Sequence, residues 1–365
     1  MAEKKAVGLN PNTYIALTDH LAPLCVLLDI PLLLTDEKHC SVVQQLYPGI
    51  KTLLIEWGDF TPDYLINNFD VLLQSEQWPR DRFYAGFAQL EQHYGKTMRN
   101  VHCPHGFSDK IFWLEQCVFE DITLVYGNNM LDMFKERGLL SHLNAYVPCG
   151  NYRYSYYLQH QAFFDRLMDQ KIGQFFSEKK TTILYAPTRN DIEENSSFFD
   201  SDCIYNDLPD EYNLIVKLHP SLEELDAPEI YKLLGRHSNK KNILFITDMP
   251  LVYPLLAKSD IYIGDSSSVG YDFLKFNRPM FFLNQRKRDT QMDRNAFLTR
   301  CGVEIKPEEY RNLYSIIASS LPYDRERFFE TRQTVYRYTF GDPLSDEELR
   351  TSIIKSYDSN KKLEL

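Results

Sequence analysis

Short apolar runs alternate with longer stretches of helical periodicity along most of the chain. The apolar runs are bounded by turn residues, which favours buried strands, and the stretches between them favour helices. Parallel strands need a crossover of roughly a dozen residues or more, usually a helix, so this alternation predicts an α/β fold with parallel sheets. In the first part of the chain we predict strands at Tyr14–Leu17, Leu32–Thr35, Thr52–Glu56, Val71–Gln74, Asn100–Cys103, Thr123–Tyr126 and Ala145–Val147.

A second series of the same kind follows the turn-rich junction Pro148–Asn151. Its predicted strands are Thr182–Ala186, Leu214–Leu218, Ile243–Ile246, Ile261–Gly264 and Met280–Leu283. Beyond Asn312 the periodicity is helical throughout. We therefore expect two Rossmann-like domains facing each other across a cleft, over residues 1–150 and 151–335, followed by a C-terminal helix over residues 336–365.

Charge and cysteine content narrow the class of protein. The chain has 365 residues, and 40 Lys and Arg against 51 Asp and Glu give a net charge of −11 with neutral histidines. Nucleic acid repels such a chain unless its positive charges are clustered, so no nucleic-acid partner is expected. The seven cysteines are scattered and include no C-x-x-C pair, which argues against a disulfide framework or zinc module and for a reducing compartment.

Neither a secretory leader nor a membrane-spanning helix is expected. The first residues run into Asn and Pro where a leader would have an apolar core. The longest apolar stretch, Leu21–Leu34, is interrupted by Pro23, Asp29 and Pro31 and falls short of the ~20 residues that span a bilayer. It is predicted to form a core helix followed by a strand.

The first candidate site is the run Asp265-Ser266-Ser267-Ser268, between a predicted strand and the helix after it. Asp and Ser are common N-caps, so the cluster could serve only as a cap. Three consecutive hydroxyl groups exceed what one cap requires, and a helix N-terminus offers N–H donors and partial positive charge to a phosphate. We therefore favour a phosphate-binding site.

Three basic side chains follow two other strands. Lys217 and His219 lie two residues apart at a strand end, so their side chains share one face there. Arg189 lies just beyond another strand and is suited to a bidentate clamp on phosphate. The alternatives are a structural histidine and an arginine of a surface loop.

His102, Cys103 and His105 lie together at a strand end in the first half. A metal site is disfavoured there, because Pro104 kinks the chain between them and no second pair of ligands lies nearby. His105 is a better candidate general base, since a neutral imidazole titrates near pH 6.5 and the following Gly106 permits close approach of a substrate.

Two further sequence motifs are only three residues long and give weaker evidence for function. Asp200–Asp202 matches the D-x-D pattern of metal-dependent sugar transferases, but so short a pattern arises easily in an acidic loop. Arg286–Arg288 is a local positive cluster that could contact anionic lipid or a polyanionic acceptor. Chance is favoured for Asp200–Asp202, and a solvated loop is slightly favoured for Arg286–Arg288.

Five segments together resemble a family. ILYAPTRND, VKLHP and SDIYIGDSSSVGYDF, with the earlier HGFSDK and VPCGNYRYSYY, resemble the CDP-glycerol:poly(glycerophosphate) glycerophosphotransferases, over about residues 95 to 335. The resemblance implies a GT-B architecture whose C-terminal helices return to the first domain. It also implies transfer of glycerol phosphate from CDP-glycerol to a hydroxyl of a lipid-linked acceptor, with release of CMP.

The resemblance assigns roles to single residues. His105 matches the base of the family's H-G element, and Lys217 and His219 match its K-x-H-P element. Asp265, Ser267 and Ser268 match the Asp and paired Ser at the donor pyrophosphate. Ser266 and Arg189 are added there as phosphate ligands, and the acceptor side is expected to include Gly106, Ser108 and Lys110.

This sequence departs from the family pattern at three places, and the phosphate-binding half keeps the pattern better than the acceptor side. Phe107-Ser108-Asp109 replaces the usual T-P after H-G, Arg189-Asn190-Asp191 replaces W-R-D, and Ser266 replaces a Tyr. The first domain is therefore expected to serve the acceptor, and the second to bind the nucleotide donor.

The resemblance also bears on cofactors, location and alternatives. No metal is required, and the expected location is cytoplasmic, peripheral on the inner face of the membrane. The alternatives are a GT-B transferase with another donor, such as a nucleotide sugar or CDP-ribitol, and a non-catalytic binding protein on a degenerate transferase fold.

Overall fold

A computed structural model describes residues 5–11, 15–76, 78–110, 114–189, 196–198, 202–220, 222, 227–247 and 249–359, with side chains at all of these except 78–85 and 357–359. The chain divides into two compact units. Unit 1 consists of Met1–Phe107, Phe112–Gln159 and Thr339–Leu365. Unit 2 consists of Ser108–Ile111 and His160–Tyr338.

The described residues form two parallel sheets. The strands of unit 1 are β1 (Ala6–Leu9), β2 (Pro31–Leu34), β3 (Lys51–Leu54), β4 (Val71–Gln74), β5 (Arg99–His102), β6 (Ile122–Val125) and β7 (Tyr146–Pro148). Those of unit 2 are β8 (Thr181–Ala186), β9 (Tyr212–Lys217), β10 (Ile243–Ile246), β11 (Ile261–Gly264), β12 (Met280–Leu283) and β13 (Val303–Ile305). The order is β3-β2-β1-β4-β5-β6-β7 in the first sheet and β10-β9-β8-β11-β12-β13 in the second.

Helices connect these strands. The α-helices are α1 (Thr18–Leu28), α2 (Glu37–Leu46), α3 (Pro62–Asn68), α4 (Trp78–Tyr94), α5 (Asn128–Glu136), α6 (Tyr152–Gln159), α7 (Gln161–Met168), α8 (Asp202–Asn206), α9 (Ala227–His237), α10 (Tyr253–Ala257), α11 (Ser268–Phe273), α12 (Leu313–Ser320), α13 (Asp324–Phe340) and α14 (Asp346–Ser359). A π-helical turn covers Asp169–Gly173, and 3₁₀ turns cover Ile15–Leu17, Trp57–Asp59, Leu114–Phe119, Leu140–His142, Leu274–Phe276, Arg294–Cys301, Pro307–Asn312 and Leu321–Tyr323. Within the described residues, no helix is both long and apolar enough to cross a membrane.

The predicted first strand is wrong. Residues 12–14 lie outside the described residues, and Ile15–Leu17 is a 3₁₀ turn that leads into α1. The strand is Ala6–Leu9, where a Cβ on Gly8 would lie 2.4 Å from the Sγ of Cys25 in α1. The glycine thus permits close packing of α1 on β1, and it interrupts the apolar run by which the other strands are recognised. The other predicted strands are confirmed, with ends shifted by at most two residues.

The last strand of unit 2, β13, has no counterpart in the predicted set. Val303–Ile305 is only three residues long and pairs with the edge of β12. A Cβ on the preceding Gly302 would lie 2.1 Å from the carbonyl oxygen of Met280. This position therefore requires glycine because the two backbones approach so closely.

The C-terminal helix completes unit 1. The helix α14 packs on β7 and α1, and the side-chain amide of Asn129 donates a 2.9 Å hydrogen bond to the hydroxyl of Thr339. A Cβ on Gly127 would lie 2.6 Å from the carbonyl oxygen of Thr339. The end of the chain is thus part of the same compact unit as its beginning.

Each sheet reverses its strand order at one point. In unit 1 the order reverses between β1 and β4, and in unit 2 between β8 and β11. In doubly wound folds, ligands bind beyond the carboxyl ends of the strands at such a switch point. The residues after these four strands are therefore the first place to look for a site.

Candidate active site

Asp265 lies at the switch point of unit 2, directly after β11. Its buried carboxylate accepts hydrogen bonds from the backbone N–H of Thr188 at 2.9 Å, the N–H of Ser197 at 2.8 Å and the hydroxyl of Ser197 at 2.9 Å. Thr188 follows β8, the neighbouring strand. The carboxylate therefore holds Thr188 and Ser197 beside the end of β11.

Lys110 joins this group. Its buried ammonium group donates a 2.5 Å hydrogen bond to the hydroxyl of Thr188, and its charge acts on Asp265. Ser108 is half-buried in the same short segment of unit 2. The structure thus places Ser108 and Lys110 with the predicted donor residues of unit 2, whereas Gly106 belongs to unit 1.

Burial dominates the electrostatics of Asp265. Desolvation raises the pKa of this carboxyl group to about 6, although the hydrogen bonds from Ser197 and Thr188 and the charge of Lys110 lower it. A group held this firmly by the protein itself is suited to positioning the loops that carry ligand-binding groups.

The three serines after Asp265 have different environments. Ser267 is the N-cap of α11, and its hydroxyl accepts a 3.4 Å hydrogen bond from the N–H of Val269. The hydroxyl of Ser266 donates to the carbonyl oxygen of Asn295 at 3.3 Å. Ser268 is half-buried at the first position of α11. One serine therefore acts as a cap, and the run is longer than that role needs.

Lys217 and His219 follow the neighbouring strand β9. The ammonium group of Lys217, the last residue of β9, donates a 3.1 Å hydrogen bond to the carbonyl oxygen of Met249. Both side chains are half-buried, and the intervening Leu218 is buried. They lie at the same carboxyl edge of the sheet as Asp265, because β9, β8 and β11 are adjacent and parallel.

Arg189 and Arg286 flank the same edge. Arg189 is exposed immediately after Thr188, and the two residues that follow it lie outside the described residues. Arg286 lines a small pocket of about 20 Å³ together with Asp265 and Ser266. The other cations of the cluster form ion pairs: Lys287 with Glu308 at 2.9 Å and Arg288 with Asp293 at 3.0 Å.

In unit 1, His105 lies beyond the end of β5. The side chain is exposed, and its Nδ1 is 3.4 Å from the carbonyl oxygen of Ser75, which follows β4. A carbonyl oxygen only accepts, so this contact needs the proton on Nδ1 and makes Nε2 the basic nitrogen. That tautomer suits a general base.

The turn after His105 is fixed by Tyr126. The hydroxyl of Tyr126 donates to the carbonyl oxygen of Pro104 at 2.9 Å and accepts from the N–H of Gly106 at 3.2 Å. Gly106 has a φ of 109°, which a side chain would strain.

Cys103 is buried against the Tyr152 hydroxyl at 3.1 Å. Within the described residues, no three His, Cys, Asp or Glu side chains are grouped to hold a metal ion.

Asp109 has a role that the sequence did not indicate. Its buried carboxylate accepts from the hydroxyl of Tyr271 at 2.5 Å and from the N–H of Leu298 at 2.9 Å, and lies 3.4 Å from Arg294. Burial raises the pKa of Asp109 to about 6. The carboxylate therefore anchors the segment that carries Lys110 within unit 2.

Of Asp200–Asp202, the first two residues lie outside the described residues.

Sequence reasoning missed Lys110 as a partner of Thr188, and Ser197 as a partner of Asp265. No periodicity links such distant positions in the sequence. The one available signal was that Lys110 and Thr188 both follow predicted strand ends, where parallel strands gather polar residues.

The fold and both switch points define a protein of the GT-B class, and comparison with known proteins makes the class more specific. The family model described as CDP-Glycerol:Poly(glycerophosphate) glycerophosphotransferase matches residues 144–298. The predicted family resemblance is thereby confirmed for this segment, which is less than half of the chain and carries all of the predicted donor residues.

The similar proteins agree with this match. A teichoic acid glycerol-phosphate primase of Bacillus spizizenii is 38% identical over 112 residues, which are 30% of this chain and 26% of the relative. A second such primase, of Bacillus subtilis, is 29% identical over 172 residues, 46% of this chain and 39% of the relative. The matched part thus spans well under half the length of these curated relatives.

A solved structure confirms the predicted fold class over nearly the whole chain. The wall teichoic acid polymerase TagF has a TM-score of 0.65 at 14% identity, covering 98% of this chain and 90% of that one. The GT-B fold class, with a helical C-terminal extension, is confirmed by this likeness together with the two observed sheets.

The titration of Asp265 can be tested through stability. The unfolded chain loses this proton near pH 4 and the folded protein near pH 6. The folded state therefore binds the extra proton between these values, and the contribution of Asp265 to the free energy of unfolding falls by about 3 kcal/mol as pH rises through this window. In Asp265→Asn, the free energy of unfolding, measured by urea denaturation, should decline less between pH 4 and pH 7 than in the wild type.

An exposed carboxylate provides the control for this measurement. Asp210→Asn, on the surface of unit 2, should leave the pH dependence unchanged. If the free energy of unfolding of Asp265→Asn fell with pH as steeply as that of the wild type, the raised pKa assigned to Asp265 would be contradicted. A carbon-13 carboxyl resonance of Asp265 that titrates near pH 4 would contradict it as well.

Proposed function

We propose that this protein is a transferase that moves glycerol phosphate from CDP-glycerol to a hydroxyl of a lipid-linked or polymeric cell-envelope acceptor, with release of CMP. The polar group at the switch point of unit 2 carries the proposal. It lies in or beside the segment that matches the glycerophosphotransferase family, at the strand edge where such folds bind ligands.

On the donor side, the residues of unit 2 would bind the pyrophosphate. Lys217, His219 and Arg189 supply positive charge or hydrogen bonds, and Ser266–Ser268 supply hydroxyl groups at the same strand edge. Asp265 would act as a positioning residue, because its carboxylate is already occupied by Thr188 and Ser197.

On the acceptor side, His105 would act as the general base. The acceptor hydroxyl oxygen forms a bond to the phosphorus that carries glycerol, the bond from that phosphorus to the CMP oxygen breaks, and the hydroxyl proton passes to His105. CMP leaves as a phosphate anion, so the donor-side cations would also stabilise the developing charge. Gly106 permits close approach of the acceptor, and its N–H is already bound to Tyr126.

Lys110 and Ser108 fit the donor side better than the acceptor side. The ammonium group of Lys110 is buried beside Thr188 and Asp265, and Ser108 belongs to the same segment of unit 2. We therefore extend the proposal by assigning Lys110 to the support of the donor loops.

A different donor is the second candidate. The fold is also similar to that of Anabaena Alr3699/HepE, solved with UDP-glucose, at a TM-score of 0.57 and 12% identity over 98% of this chain and 100% of that one. Since phosphate ligands do not identify the rest of a donor, a nucleotide sugar or CDP-ribitol stays an alternative. A non-catalytic binding protein is the third candidate, favoured by the altered acceptor motif around Ser108.

Membrane contact belongs to the same proposal. A lipid-linked acceptor would place the protein at the inner face of the cytoplasmic membrane as a peripheral protein, without a metal cofactor being required. The support is the Arg286–Arg288 cluster, in which Arg286 lines the pocket described above while Lys287 and Arg288 are ion-paired.

Substitution of the proposed base should abolish most turnover. In His105→Ala, CMP release from CDP-glycerol should fall by about 10²–10⁴, which is the usual contribution of a general base. His142→Ala, at an exposed histidine of unit 1, is the matched control and should retain full activity. Full retention of CMP release in His105→Ala would eliminate this residue as the base.

A thermal-shift panel should identify the donor. A ligand at 100 times its Kd stabilises the folded state by about 2.7 kcal/mol, a shift of a few degrees for units of this size. CDP-glycerol should raise the Tm more than CDP-ribitol or UDP-glucose at equal concentration. A larger shift with a UDP-sugar would overturn the choice of donor, whereas turnover with any acceptor would rule out the non-catalytic alternative.

Flotation with vesicles tests the membrane contact. The protein should float with anionic vesicles at low salt and dissociate at high salt, because exposed charges are screened. Arg286→Glu should reduce flotation, and Lys179→Glu, at an exposed lysine of unit 2, should not. No binding to anionic vesicles would remove this part of the proposal.

A further inference from the structure

The switch point of unit 1 carries a polar group of its own. The strand order reverses between β1 and β4, and in doubly wound folds the residues that follow such strands border the crevice in which ligands bind. Gln74 ends β4, and α1 begins soon after β1 with His20 in its first turn. Both side chains are buried.

Two nitrogen atoms of this group have unused hydrogen-bonding capacity. Within the residues that the structure describes, neither Nδ1 of His20 nor Nε2 of Gln74 has a hydrogen-bond partner. His20 is 8% exposed and Gln74 is 2% exposed. Leaving such a group unpaired costs about 1–3 kcal/mol, so a partner is expected in the working protein.

The surrounding contacts hold His20 in place through its backbone. The carbonyl oxygen of His20 accepts a 3.1 Å hydrogen bond from the hydroxyl of Tyr152 and lies 3.7 Å from the thiol of Cys103. The ring nitrogens take no part in these contacts. The imidazole is therefore positioned without its hydrogen-bonding capacity being consumed by them.

The group is polar but not positively charged. The buried guanidinium of Arg153 forms an ion pair with Asp19 at 2.5 Å, which offsets its charge. Burial, then Arg153 and His105, lower the pKa of His20 well below its usual value of 6.5, so the ring is neutral at neutral pH. A neutral crevice suits hydroxyl groups better than a phosphate, because a phosphate needs cations to offset the loss of its hydration.

The crevice adjoins the proposed base. The residue after Gln74 is Ser75, whose carbonyl oxygen lies 3.4 Å from Nδ1 of His105. The charge of His105 also contributes to the lowered pKa of His20. A hydroxyl compound in the crevice would therefore lie beside His105.

We propose that the switch point of unit 1 binds the neutral polyol end of the acceptor, with His20 and Gln74 hydrogen-bonded to the hydroxyl next to the one that His105 deprotonates. This inference rests on the proposed transferase function, and it assigns to that reaction two residues that discriminate between acceptors. A site built to pair with a hydroxyl rejects an analogue that lacks it, because the buried polar groups are then left unpaired.

The experiment compares two soluble acceptors. Glycerophosphoglycerol ends in a vicinal diol, and an analogue that ends in propane-1,3-diol keeps the reacting primary hydroxyl but lacks its neighbour. The measured quantity is kcat/KM for each acceptor, followed by CMP release from CDP-glycerol. The variants are His20→Leu, His20→Asn and Gln74→Leu, with His142→Leu as the exposed control in the same unit.

The wild type should prefer glycerophosphoglycerol by about tenfold or more, the effect of one buried hydrogen bond. His20→Leu and Gln74→Leu should each lose this preference without raising KM for CDP-glycerol. His20→Asn, which keeps a polar group near the position of Nδ1, should restore part of it. Equal kcat/KM for the two acceptors in the wild type would overturn the inference. The inference would also be overturned if His20→Leu lowered kcat/KM by the same factor for both acceptors.

A binding measurement separates this inference from the proposed function. If the wild type releases no CMP with any acceptor, the transferase proposal fails, and titration of glycerophosphoglycerol is followed instead through the Cε1–H NMR signal of His20. A shift of that signal that inorganic phosphate does not reproduce would support the polyol site on its own. An unchanged signal would overturn it, and Gln74→Leu serves the same test if His20→Leu does not fold.

Discussion

The carboxylate of Asp265 is the contact on which the geometry of unit 2 depends. It accepts hydrogen bonds from Thr188 and Ser197 and so fixes the loop after β8 beside the start of α11. Lys110 is placed by the same arrangement through the hydroxyl of Thr188. The hydroxyl groups of Ser266–Ser268 and the end of β8 therefore keep a constant separation. A site preorganised in this way can bind charge without first having to move.

The two units use their switch points differently. In unit 2 the carboxyl edge gathers cations and hydroxyl groups, which suits an anionic ligand such as a pyrophosphate. In unit 1 the buried charges of Arg153 and Asp19 offset each other and leave uncharged polar groups at the edge. Under the proposed function, a chain of net charge −11 would bind a pyrophosphate through these local cations.

Much of the fold could be predicted from the sequence because parallel strands buried on both faces produce apolar runs that are easily recognised. The exceptions have physical reasons. In β1, Gly8 makes room for the side chain of Cys25 and interrupts the apolar run, and β13 has only three residues and follows Gly302, which the backbone of Met280 approaches closely.

The sequence singled out His105, Lys217 and Asp265 because polar residues that directly follow buried strands are easily recognised. The candidate site was not predictable where a contact joins distant segments, as between Lys110 and Thr188. His20 was hidden for another reason, because it lies in the first turn of a helix whose remaining residues are apolar and which therefore resembles an ordinary core helix.

The closure of unit 1 by the end of the chain has a consequence for biosynthesis. Asn129 binds Thr339, and α14 packs on β7 and α1, so the earlier segments of unit 1 lack part of their packing until residues 339–359 have been synthesised. Unit 2 has nearly all of its residues available earlier. Vectorial synthesis would therefore complete the second unit before the first, and a nascent chain paused near residue 330 would expose the surface of α1 that α14 later covers.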